Sequence, residues 1–283
     1  MMMICRVLVC IALLTLASEH ALAQCPGNDM FRFPDADPPT GSLTPPPGLA
    51  DGPMAPGTIK PDAGKRPYSL FGRLDTLVDG INRYCTAQLV EGTNILMTAA
   101  HCVRDNKSGK WVSDFRFLRA SAVEGGEPLR KPLCIATRKD WVGPPPAGFA
   151  GNFFWPADYA FVILREPLDQ HFLKLGIDAP EGPVAAFGYP AAIDSRKSLV
   201  KADGDFLHVP GFDMGAVTRF DPALGLGMSG GAWIAGLAEG EGNAGNVVIG
   251  HSTTAPPDFI IGPRFTICAK ELLEFVKTSC VQQ

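Results

Sequence analysis

From Tyr68 onward the chain has no long apolar run. Short apolar segments follow one another, each stopped by Gly, Pro, Asn or Asp. Segments at 69–74, 85–90, 94–98, 114–120, 159–164, 184–189, 216–220, 232–237, 247–251 and 265–268 read as strands. Only 270–278 has helical spacing, with Leu272, Leu273, Phe275 and Val276 on one face. Many short strands and one terminal helix predict an all-β domain, sandwich or barrels. No internal repeat argues for a solenoid or propeller.

The first 23 residues have the make-up of a secretory signal: Arg6, an apolar core over 7–17, and Ala21-Leu22-Ala23 as a small-x-small cleavage site. That core is too short to span a bilayer, which takes about 20 residues. Gln24 stands where a lipoprotein signal needs a small residue, so no membrane anchor is expected and the mature chain is read as starting there. Residues 24–67 are read as a Pro-rich linker or pro-segment, because 34–67 is too dense in Pro and Gly to offset its ordering entropy by burial. The folded domain is then 68–283.

Cys25, Cys85, Cys102, Cys134, Cys268 and Cys280 remain after signal removal, an even set in an exported protein, which favours disulfides. No two of them have zinc-ligand spacing, so no metal is expected. A net charge of −4 and a pI near 5.7, without a basic stripe, exclude a nucleic-acid partner.

Three stretches carry chemistry. Thr98-Ala99-Ala100-His101-Cys102 ends an apolar strand with an imidazole. Asp158 opens the apolar run Tyr159-Ala160-Phe161-Val162-Ile163-Leu164; Asp105 and Asp140 precede no such run. Gly227-Met228-Ser229-Gly230-Gly231 sets a hydroxyl among glycines that permit a tight turn. A hydroxyl that attacks, an imidazole that takes its proton and a carboxylate that orients the imidazole are what peptide cleavage by serine requires. His171 and His208 have no motif around them and read as surface residues.

These runs resemble the trypsin/chymotrypsin superfamily, and Phe187-Gly188-Tyr189-Pro190 is similar to a strand of its bacterial, glutamyl-endopeptidase-like branch. The resemblance covers 68 to the end. It implies two six-stranded antiparallel barrels with a short C-terminal helix, and a cleft between them holding a triad of His101, Asp158 and Ser229. It places the oxyanion hole at the N–H groups of Gly227 and Ser229 and a disulfide between Cys85 and Cys102; the other four cysteines allow three pairings. It sets His251 against an acidic P1 side chain, and Ser252 in the pocket wall supporting the Asp. It implies a secreted or periplasmic monomer acting on polypeptides without a cofactor.

Two positions depart from the animal members. Met228 stands where they carry the Asp that receives a newly cut N-terminus, and Ala223 stands, by spacing, at the floor of the specificity pocket. Two other functions fit parts of the pattern. Gly227 to Gly231 also satisfies the Gly-x-Ser-x-Gly of an α/β-hydrolase esterase, which would need its acid and His downstream. A catalytically inactive homologue could serve as a binding module.

Overall fold

Alternation along Phe71–Val78 (β3) buries Leu74, Thr76 and Val78 and turns Arg73, Asp75 and Leu77 outward. Its two-residue turn into Ile81–Leu89 (β4) is Asp79-Gly80, with φ of 48° and 75°, the left-handed pair a tight hairpin requires. Ile95–Thr98 (β5), Val112–Arg119 (β6), Pro132–Arg138 (β7) and Ala160–Leu164 (β8) complete a first unit, paired in the order β7-β8-β5-β4-β3-β6.

The second unit contains Gly182–Gly188 (β10), Val200–Val209 (β11), Met214–Thr218 (β12), Ala232–Ala235 (β13), Val247–His251 (β14) and Phe259–Pro263 (β15). They pair in the order β15-β12-β11-β10-β13-β14. If the strands of each unit are counted in chain order, the first pairs as 5-6-3-2-1-4 and the second as 6-3-2-1-4-5, two cuts of the one cyclic order 1-2-3-6-5-4. The expected architecture of two six-stranded antiparallel barrels is therefore present, and the two units share a strand order although the sequence shows no repeat. A bridge between Gly250 and Arg264 links β14 to the end of β15. Phe187 of the second barrel packs at a tilt against Phe71 of the first, ring centroids 4.7 Å apart, so the two units share an apolar seam.

This is the structure of a computed structural model that describes residues 25–34, 54–120, 128, 132–144, 156–218, 224–240, 245–254 and 259–281. Residues 1–23, read from the sequence as a signal, lie outside these residues. Among those described, no helix is long and apolar enough to cross a membrane.

Several expectations need correction. Residues 24–67 are not merely a linker ahead of the fold. Asn28–Arg32 (β1) pairs with β7 as a seventh strand, and Thr58–Ile59 (β2) pairs with β11. The strand expected at 265–268 is the entry to the helix Ile267–Val281 (α1); the sheet strand lies earlier, at β15. Cys268, Ala269, Leu272, Leu273, Val276 and Cys280 are buried at helical spacing, so Cys268 belongs to the helix period. Strands β7 and β11 and the short Lys174–Leu175 (β9) escaped the sequence reading. In β11, Val200, Ala202, Gly204 and Phe206 point inward, but Asp203, Gly204 and Asp205 have the composition of a turn. The α/β-hydrolase alternative fails, because among the named strands only β9 pairs in parallel.

The disulfide Cys85–Cys102 is present as the resemblance implied, and the open pairings are Cys25–Cys268 and Cys134–Cys280. Two of the three fasten α1, which follows the second barrel, to the first-barrel side of the molecule. Arg32 adds to this by donating to the carbonyls of Ser279 and, at 3.0 Å, Cys280 near the helix end.

Candidate active site

Strands β5 and β8 are antiparallel with Thr98 opposite Ala160, a register that carries Asp158 to the level of the turn Ala100–Cys102. His101 sits in that turn, tied to β4 by Cys85–Cys102. Asp158 is fully buried and accepts twice from His101, from the backbone N–H at 2.8 Å and from Nδ1 at 2.8 Å. A carboxylate only accepts, so Nδ1 carries the proton and Nε2 is left with a lone pair.

Ser229 lies in the loop before β13. Gly227 and Gly230 have φ of 99° and 81°. A Cβ on Gly230 would stand 2.4 Å from both Thr86 O and Thr98 Oγ1, so the loop presses directly on the first barrel. Gly230→Ala is expected to cost about 1–3 kcal/mol through strain alone, readable as a lowered melting midpoint; an unchanged midpoint would contradict the tight packing. Thr86 N donates to Ser229 O at 2.8 Å, Gln88 Nε2 to Gly230 O at 3.0 Å, and Ala232 N to Gln88 Oε1 at 3.2 Å. Met228 is buried in the apolar core of the second barrel with Trp233 and Phe206. Neither the Gly227 nor the Ser229 N–H donates to another described residue.

The Ser229 hydroxyl itself donates to Thr253 O at 3.3 Å. Ser229, His101 and Asp158 all line one cleft of about 620 Å³, with Trp141, Leu226 and Thr254 among its walls. Sequence reasoning missed Thr86 and Gln88, which hold the loop; the available signal was polar side chains inside a wholly buried stretch of β4. Cys85, His101 and Cys102 bring potential ligand atoms within 4.8 Å of one another, yet both sulfurs are committed to the disulfide.

The chain resembles solved structures over most of its length. A thermostable serine protease AL20 from an extremophilic microorganism is 22% identical, with a TM-score of 0.59, covering 75% of this chain and 98% of that one. The fold is that of the chymotrypsin-like serine proteases. A Glu endopeptidase in complex with MPD is 15% identical, TM-score 0.59, over 81% of this chain and 99% of its own. A scabies mite inactivated protease paralogue is 14% identical, TM-score 0.54, over 78% and 99%. No protein-family model matches the chain, and no curated protein matches its sequence.

Within this chymotrypsin-like fold, His251 and Ser252 stand at the end of β14, directly before Thr253 of the cleft wall. His251 is completely buried, with Nδ1 3.1 Å from Ser252 O, its ring 6.0 Å from that of Phe265, and Nε2 without a hydrogen-bond partner. It is not among the residues that line the cleft. Ser252 Oγ accepts from Trp233 Nε1 at 3.1 Å and makes no hydrogen bond to Asp158. The end of β14 is covered by β13 and Phe265, so both side chains fill the interior. Ala223 lies outside the described residues.

Burial holds the His251 imidazole below its ordinary pKa of 6.5, opposed by the nearby Asp158 charge and reinforced by His101. The folded state keeps it neutral while the unfolded chain takes up a proton below about pH 6.5, so its contribution to stability is present above that pH and lost as pH falls. The loss is at most about 1.4 kcal/mol per pH unit. His251→Asn is expected to flatten the fall in melting midpoint between pH 7.5 and 5 relative to the wild type. Parallel profiles would show that His251 does not titrate on unfolding.

Proposed function

We propose that the protein is an exported serine endopeptidase that hydrolyses polypeptides through His101, Asp158 and Ser229. The observation that carries this reading is the double acceptance by buried Asp158 from His101, which leaves Nε2 as a base in the cleft that also holds Ser229. Rotation of the Ser229 hydroxyl from Thr253 O to Nε2 forms the attacking pair. Oγ adds to the scissile carbonyl while its proton passes to Nε2; the imidazolium then protonates the leaving amine, and water repeats the sequence on the acyl-enzyme. The unengaged N–H groups of Gly227 and Ser229 fit an oxyanion hole. No step needs a cofactor. Three disulfides accord with an oxidising destination.

One observation favours the inactive-homologue reading, the Ser229 hydroxyl bonded to a carbonyl instead of His101. A fluorophosphonate probe decides between them. Stoichiometric labelling of Ser229, with cleavage of labelled casein blocked in parallel, is the expected result. A folded protein that neither labels nor cleaves casein overturns the endopeptidase reading.

A further inference from the structure

The largest charged side chain in the interior belongs to no part of the triad. Arg196 is 1% exposed and follows Asp194 and Ser195, all three in the left-handed region with φ of 46°, 48° and 66°. Three consecutive non-glycine residues in that region cost strain that the surroundings have to hold. Asp194 is held by Lys60 and by Ser198 Oγ at 2.5 Å, and the turn drives the Arg196 side chain into the seam between the barrels.

There the guanidinium joins three parts of the fold. Nη1 pairs with Asp75 of β3, and Nη2 donates to Cys85 O of β4 at 2.6 Å and to Leu74 O at 3.4 Å. Nε donates to Tyr189 O at 3.2 Å. That carbonyl is the surface on which Gly227 rests: a Cβ on Gly227 would lie 2.2 Å from Tyr189 O and 3.0 Å from Arg196 Nε. Tyr189 N donates to Thr86 Oγ1 at 3.0 Å, which donates to Gly227 O at 2.8 Å, and Ala191 N donates to Leu226 O at 2.7 Å. The loop thus abuts a segment held at its Tyr189 N–H by Thr86 and at its Tyr189 carbonyl by a cation anchored in the other barrel.

We propose that Arg196 is a positioning residue that braces the oxyanion loop through the Tyr189 carbonyl and holds the Gly227 N–H in its working direction without a newly cut N-terminus. The inference rests on the endopeptidase reading above. Met228, buried among apolar side chains, offers no charge for an inserted ammonium, whereas Arg196 is part of the uncut chain and needs no processing to take its place. The brace therefore forms on folding.

Inactivation by a fluorophosphonate separates this role from simple stability, because its limiting rate depends on the oxyanion hole and its apparent affinity does not. For Arg196→Met in the full chain, the limiting rate is expected to fall about 100-fold, the scale of one lost oxyanion donor, with the half-saturating probe concentration within threefold of wild type. Arg196→Lys keeps the charge near Asp75 but lacks the planar fork that reaches Tyr189 O and Cys85 O together. It is expected to fold and to fall between the two. A folded Arg196→Met that inactivates at the wild-type rate overturns the brace. So does an Arg196→Met that fails to fold alongside an Arg196→Lys with the full rate. A wild type inert to the probe overturns the endopeptidase reading, and the brace with it.

Discussion

Ser229→Ala is expected to remove peptide hydrolysis and fluorophosphonate labelling, a loss on the order of 10⁴-fold or more. The substitution takes away the only atom that forms the acyl bond. The structure shows what else it takes away, one hydrogen bond of 3.3 Å to Thr253 O, so the stability cost is at most about 1 kcal/mol. The loop keeps its other fastenings, since Thr86 N and Gln88 Nε2 reach backbone carbonyls that the variant retains. A melting midpoint close to wild type with no cleavage of casein is therefore the predicted pair of results. Near-normal cleavage by the folded variant would remove Ser229 from the mechanism. Because attacking atom and base act as a unit, adding His101→Ala to Ser229→Ala should cost little more.

Asp158→Asn is expected to lower the rate by about 10⁴-fold while leaving the fold in place. Asp158 accepts two hydrogen bonds from one residue, through Oδ1 from the His101 N–H and through Oδ2 from Nδ1. An amide has one accepting oxygen and one donating nitrogen. If the oxygen stays on the backbone N–H, the NH₂ group faces Nδ1, which then has to present its lone pair. The ring proton moves to Nε2, the atom that has to receive the proton of Ser229. Rates of fluorophosphonate labelling and casein cleavage check this, and an Asn variant within tenfold of wild type would mean that Asp158 does not set the tautomer.

The parts most readable from sequence were those in which neighbouring residues suffice. Thr98 to Cys102 carries its strand, turn and cysteine in one run. The strand β11 was hidden because its outward positions are charged and its inward series includes Gly204, whose Cβ would lie 2.2 Å from Thr218 O. That requirement comes from the facing strand β12, which the composition of β11 itself does not reveal. The surroundings of His251 were hidden for a related reason. A motif gives its place at the end of β14, but only the packing of β13 and Phe265 shows that it faces inward. Arg196 carries no motif, and its burial depends on Asp75 and Cys85, more than a hundred positions away.

The bond between Cys25 and Cys268 joins the front of the described chain to its last helix. A protease cut anywhere between β1 and β2 would therefore release nothing. The short leading piece would stay attached through sulfur, and β1 would remain on the edge of β7. Nicked and intact molecules would share one mass on a non-reducing gel, apart from the added water, and separate only after thiol treatment. A single cut within that stretch changes the number of chain ends without changing the number of molecules.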